Sequence, residues 1–286
     1  PMTTMMVEDT QDISYTGIRI PTKLKNNPFF RSFQDIVAMY SLPSYGEIDP
    51  SPIVAISFIL FFGFMFGDVG HGLMIFLGSI YLVKRGIMRR SLGQVMKMAS
   101  VSSMFFGVMY GSIFGIEGII PAVWLNPMYD VNKLLGVAIC LGVFMISLGL
   151  ILNMIKQYRA KDFGRLLFDG QGMAGLFLYW TLCALGMIYI TGSPIADATA
   201  NMMWGGIGVL ILVMIFRDLL ARCLLHQKSD GESAVLNIFE IMHNLMSFVS
   251  NTASFVRLAA FALNHVGLSL AVIMLSDMVH TLPGGI

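Results

Sequence analysis

IVAISFILFFGFMFGDVGHGLMIFLGSIYLV, residues 53–83, is apolar from end to end except for its centre, FGDVGHG at 66–72. Drawn as one helix it would be about 46 Å long, well beyond a hydrocarbon core of about 30 Å. The glycines and Asp68 in the middle read as a turn. The stretch therefore divides into two short spans, 53–67 and 70–83.

Further apolar runs lie on the carboxyl side of this hairpin, at 98–115, 131–155, 172–191 and 201–222, with a long final run at 235–276. The count is seven, and the fold class expected is an all-α, polytopic membrane helical bundle. Composition agrees. The chain is 56% hydrophobic and 12% charged, with a mean hydropathy of +0.74, whereas soluble domains carry about a quarter charged residues. The lipid bilayer is thus the solvent for most of the surface. A net charge of +1 removes any bulk electrostatic case for binding nucleic acid. Cys140, Cys183 and Cys223 stand singly in apolar context, without the spacing of a disulfide framework or zinc site. The polar start at Pro1 lacks the pattern of a secretory leader, and a piece of a longer polypeptide is the expectation.

The basic residues test the span count, because lysine and arginine collect in cytoplasmic loops. With the segment before Ile53 inside, the inner loops hold Lys84, Arg85, Arg89, Arg90 and Lys97, then Lys156, Arg159, Lys161 and Arg165, then Arg217, Arg222 and Lys228; the outer loops hold only Lys133. A single span over 53–83 would set Arg19, Lys23, Lys25 and Arg31 opposite all three clusters. The hairpin keeps every cluster on one side. Residues 1–52 form a cytoplasmic or interfacial lead-in segment, and 53–286 the transmembrane domain. Within the lead-in, Phe29, Phe30, Phe33, Ile36, Val37 and Tyr40 recur at helical steps. They make one apolar face, suited to the membrane interface or to a soluble domain.

Gly107, Gly111 and Gly115 follow at four-residue intervals in FFGVMYGSIFG, a pattern that lets two helix backbones approach closely. GDVGHG has the wrong glycine order and flanks for a nucleotide loop. Asp68 and His71, one helical turn apart, could hold a metal ion. A turn closed by their hydrogen bonds, or an ion entrance, is the favoured reading, so neither a metal nor a cofactor is assigned.

The final run would measure about 63 Å as a continuous helix, which demands a steep tilt or a projection into water. Along it His243, Ser247, Ser250, Ser254, Arg257 and Asn264 share one stripe with a period near 3.5, and His265 flanks them. Serines alone would read as helix glue. Arg257 reads differently, since a central arginine costs about 2.5 to 3.5 kcal/mol on insertion scales. Asp68, Glu117, Asp130, Asp197 and Asp277 all fall near outer ends of spans, and Asp218 and Glu240 toward the inner side. A carboxylate on another polypeptide is the natural partner. Arginine keeps its charge even when buried, so it can draw a carboxylate into the ionised form without passing on a proton itself.

FMFGDVGHG together with NTASFVRLAAFALNHVGLSLAV at 251–272 resembles the membrane half of the large stator subunit of vacuolar-type and archaeal-type rotary ATPases, subunit a in eukaryotes and subunit I in prokaryotes. The wording of the second motif is closest to bacterial versions, which implies a bacterial plasma membrane with the basic loops cytoplasmic. The resemblance runs through the whole chain in order. It implies eight spans, the last two long and tilted, and a cytosolic domain of peripheral-stalk type; that domain and the eighth span are expected outside this sequence. By the same resemblance Arg257 matches the essential arginine that faces the carboxylate of the rotating proteolipid ring and separates two half-channels. His265 matches a channel histidine of eukaryotic relatives. His243 stands where such relatives carry a glutamate, with Glu240 one turn earlier as a substitute. The implied partners are the proteolipid ring, the peripheral stalk and other membrane-sector subunits; the implied role is transfer of H⁺ or Na⁺ without hydrolysis by this chain. The alternatives from other classes are a secondary transporter holding an anionic substrate at Arg257, and a scaffold in which Arg257 merely pairs with a neighbour. No internal repeat supports the first.

Overall fold

The computed structural model describes residues 26–40, 48–117, 121–191, 197–217, 220 and 234–281. Expectations resting on Arg19, Lys23, Lys25, Asp218, Arg222, Cys223, Lys228 and the loop 41–47 lie outside the described residues. In chain order the elements are α1 (Pro28–Tyr40), α2 (Ser51–Met65), α3 (Val69–Lys84), α4 (Arg90–Tyr110), β1 (Ser112–Ile113), β2 (Ile116–Glu117), α5 (Val131–Arg159), α6 (Phe163–Phe168), α7 (Met173–Thr191), α8 (Asp197–Ile215), α9 (Ala234–Ser254) and α10 (Val256–Thr281). They form two compact units, Pro1–Val131 with Leu258–Ile286, and Asn132–Arg257. The fold is mostly helical. By length and composition Val131–Arg159, Phe163–Ile190 and Leu236–Val279 can cross a membrane, while Ser51–Met65, Val69–Lys84 and Asn201–Ile215 are apolar but shorter.

In the first unit the break expected in 53–83 falls at Phe66 and Gly67, and Asp68 caps the next helix. Helix α4 packs along the α2–α3 hairpin. Tyr110 donates from its hydroxyl to the carbonyl of Phe64 at 3.1 Å, and the Phe64 ring meets Phe106 edge-on at 6.1 Å. The apolar face of α1 is filled from within the chain: Phe33 packs with Ala55 of α2 and Val95 of α4, flanked by Phe30, Ile36, Ile59 and Met98. Burying Phe33 contributes roughly 2 to 3 kcal/mol, while Phe29 and Tyr40 of the same face stay exposed.

The glycine series divides among three tasks instead of lining one helix face. A Cβ on Gly107 would collide with the backbone of Asp68 and Val69, so this position does bring two backbones together. Gly111, at φ 71°, is the left-handed cap that ends α4. The span expected to reach residue 115 therefore stops at Tyr110. Beyond it β1 and β2 pair antiparallel, Ser112 opposite Glu117 and Ile113 opposite Ile116. Phe114 and Gly115, at φ 51° and 72°, form the two-residue turn between them. Positive φ at both positions is what a tight hairpin of this hand requires.

In the second unit Leu178 and Leu185 of α7 pack with Ile207 and Met214 of α8 and Ile241 of α9. Tyr179 lies against Phe248 at 5.2 Å between ring centres, and its hydroxyl is 3.0 Å from that of Thr252. The final apolar run is not one continuous helix: a turn at Phe255 separates α9 from α10. Thr252 turns its hydroxyl back onto the Phe248 carbonyl at 2.7 Å, and the Phe255 amide bonds only three residues back, to Thr252, at 3.1 Å. Back-bonding of this kind bends helices, so the interruption needs neither glycine nor proline.

Candidate functional site

Arg257 sits in the first turn of α10, two residues beyond the interruption, and its side chain is exposed. One guanidinium nitrogen donates to the Ser254 hydroxyl at 3.1 Å. No carboxylate among the described residues pairs with it. Of the residues expected around it, His243, Ser250 and Ser254 in the second unit and Asn264 in the first are exposed, and Ser247 and Glu240 are half-buried. Ser247 accepts from the Asn251 amide at 3.0 Å. The opposite face of α9, Asn237, Ile241, Asn244 and Phe248, is buried. The open side of the helix is mixed, since Leu236, Phe239, Met242, Met246 and Val249 are exposed along with His243, Ser250 and Ser254.

Glu240 does not stand alone. Arg217 bridges it at 3.1 Å and Asp169 at 2.8 Å; Asp169 follows α6, and Arg217 follows α8. Asn237 donates to the Ile215 carbonyl at 3.2 Å, while Asn237 Oδ1 and Asn244 Nδ2 are buried without a partner. A cavity lined by these groups holds about one water molecule. The sequence placed Arg217 only as a loop charge, and nothing local marks Asp169 as its partner across 48 residues. Arg217→Lys is expected to destabilise the protein by about 1 kcal/mol, because one guanidinium nitrogen meets both carboxylates and a flexible ammonium stem holds that position less firmly; thermal unfolding of the purified protein measures it.

Asp68, His71 and His265 come together within the first unit. Asp68 is fully buried, and four donors reach its carboxylate. Oδ1 accepts from the amides of His71 at 2.8 Å and Phe114 at 3.0 Å. Oδ2 accepts from the Ser112 hydroxyl at 2.9 Å and the Gly115 amide at 2.7 Å. Burial pushes this carboxyl up, but the His265 imidazole and the His71, Gly115 and Ser112 donors outweigh it and hold the group well below the usual carboxylate range. Asp68 therefore ties the start of α3 to the β1–β2 turn. His71 Nδ1 is 3.1 Å from Oδ1, and His265 Nε2 4.0 Å from Oδ2; neither nitrogen has a hydrogen-bond partner. The His265 ring lies 4.2 Å from that of Phe66 and 5.1 Å from that of His71.

Residues 3–129 match the V-type ATPase 116kDa subunit family. A-type ATP synthase subunit I of Pyrococcus horikoshii is 28% identical over 269 residues, covering 91% of this chain and 38% of the relative. V-type ATP synthase subunit I 2 of Treponema pallidum is 30% identical over 167 residues, 50% of this chain and 37% of the relative. The subunit I of Methanocaldococcus jannaschii is 25% identical over 296 residues, 91% of this chain and 41% of the relative. The chain is similar to the V/A-type ATPase subunit a/I family, by the family model over its first 129 residues and by these relatives along most of its length. It spans about two fifths of the length of these relatives. Among the described residues the second unit holds Arg257 and the Arg217 bridge, and the first unit holds the Asp68 cluster.

Proposed function

We propose that this chain is the ion-translocating stator domain of a V/A-type rotary ATPase. The observation that supports this reading most is Arg257, an exposed guanidinium in an apolar helix that bonds only to a neutral hydroxyl among the described residues. A partner carboxylate from a proteolipid ring would meet it. Ions enter by one aqueous half-channel and neutralise a ring carboxylate, which can then face lipid. They leave by the other half-channel after Arg257 restores the carboxylate to its charged form. Arg257 also blocks direct passage between the half-channels. Glu240, His243, Ser247, Ser250, Ser254, Asn264 and His265 line the pathway, with Asp68 and His71 at its outer end. The Arg217 bridge fixes the position of Glu240 on this pathway.

In this reading residues 1–52 are a cytoplasmic or interfacial lead-in and 53–286 supply seven of eight spans, in a bacterial plasma membrane with the basic loops inside. The peripheral stalk and other membrane-sector subunits hold the chain against the ring's rotation. The chain hydrolyses nothing itself. Each elementary charge crossing 100 mV is worth about 2.3 kcal/mol, so several steps must be summed to couple with nucleotide chemistry on other subunits. Affinity purification from native membranes tests the assignment. A small, very apolar subunit bearing one mid-span Glu or Asp, in many copies per complex, is expected. Recovery of the chain alone, transporting an anionic solute, would establish a secondary transporter instead. Sodium dependence of the assembled complex then identifies the ion.

A further inference from the structure

We propose that His71, His265 and Asp68 form a binding site for a divalent transition-metal ion of the zinc class. The sequence offered only two of these groups, one turn apart. The fold brings the third from about 200 residues away, so that the ligand atoms of all three lie within 4.8 Å of one another. His71 Nδ1 and His265 Nε2 are both buried and without a hydrogen-bond partner, and the His265 side chain is only 10% exposed. Orphaned imidazole nitrogens facing a buried carboxylate leave an unmet demand that a cation satisfies.

Imidazole and carboxylate ligands bind Zn²⁺ at about 2.0 to 2.2 Å, which places neighbouring ligand atoms roughly 3.4 Å apart in a tetrahedron. His71 lies 3.1 Å from Oδ1 and His265 4.0 Å from Oδ2, and one ligand atom from each of the three residues falls within 4.8 Å of the others, a set somewhat wider than the bound tetrahedron. Closing the wider of the two Asp68 separations takes a small rotation of the His265 ring. Asp68 already accepts four hydrogen bonds, three of them from backbone amides fixed by the turn and the helix start. The Ser112 hydroxyl is the movable fourth, and its rotation frees a lone pair on Oδ2, the oxygen nearer His265. His71 is 37% exposed, which leaves a side open to solvent for ion access and for a fourth, water ligand. Two imidazoles with one carboxylate suit Zn²⁺, Ni²⁺ or Co²⁺ and disfavour Mg²⁺ and Ca²⁺, which prefer oxygen ligands alone. A bound ion would staple α3 to α10.

The test uses the intact complex, stripped with chelator and titrated with Zn²⁺ by calorimetry, and with Co²⁺ while its visible absorption is followed. One saturable Zn²⁺ per copy of this chain is expected, with Co²⁺ bands characteristic of nitrogen and oxygen ligation. His71→Gln and His265→Gln are each expected to weaken this binding by at least about tenfold, with thermal unfolding of the metal-free protein little changed. A wild-type complex that binds no stoichiometric Zn²⁺ overturns the proposal. So do two variants that bind Zn²⁺ as tightly as wild type. If a variant fails to fold, the wild-type Co²⁺ spectrum decides, since ligation by oxygen alone would exclude both histidines.

Discussion

Arg257→Lys is expected to abolish coupled ion transport, with a loss of at least about 100-fold, while the complex still assembles. Both side chains carry one positive charge, so a purely structural counter-ion would tolerate the exchange. The proposed role does not. A guanidinium presents five N–H donors in a plane and stays charged in apolar surroundings, whereas an ammonium loses its proton readily when buried. Arg257 spends one donor on Ser254, which orients the group and leaves the others for a passing carboxylate. Lysine cannot hold that anchor and present a fork as well. A difference of about 3 kcal/mol in stabilising the ionised ring carboxylate corresponds to the loss expected. ATP-driven ion uptake in reconstituted vesicles reads the effect, with subunit composition as the control for assembly. Transport at the wild-type rate would remove Arg257 from the mechanism.

The reach of the sequence is clear from particular residues. Glycine and a buried acid inside an apolar run announce a turn, so the break at Gly67 and Asp68 was legible. The exposure of His243, Ser250 and Ser254 follows from their helical spacing on α9. The interruption at Phe255 was not legible, since its causes are side-chain bonds of Thr252 in a stretch without glycine or proline. Gly111 and Gly115 share a spacing with Gly107 but not its setting; left-handed backbone, which spacing does not reveal, decides their roles. Bonds formed across long stretches of chain were hidden altogether. The hold of Asp68 on Phe114 and Gly115, and the bridge from Arg217 to Asp169, exist only once the helices have packed.

Asp68→Asn is expected to destabilise the first unit by roughly 3 to 5 kcal/mol. Turned one way, the asparagine NH₂ faces the amides of His71 and Phe114; turned the other, it faces the Gly115 amide while the Ser112 hydroxyl rotates to accept from it, and either way the remaining bonds lose their charge assistance. Each buried donor left unmet costs about 1 to 3 kcal/mol. Phe114 adds to this, because its backbone at φ 51° is held in a region that non-glycine residues seldom occupy. With the carboxylate gone the β1–β2 turn should open first. Hydrogen exchange at Phe114 and Gly115 is therefore expected to quicken by about 100-fold or more, since 1.4 kcal/mol is a factor of ten. The pH dependence has a definite sign. A carboxyl whose folded pKa lies below its unfolded value of about 3.9 contributes fully above that value and loses its contribution as pH falls toward the folded one. The gap between wild type and variant should stay constant from neutral pH down to about 4 and narrow only in stronger acid. Slow exchange at Phe114 in the variant would mean that packing around the His71 and Phe114 rings, and not the Asp68 carboxylate, holds the turn.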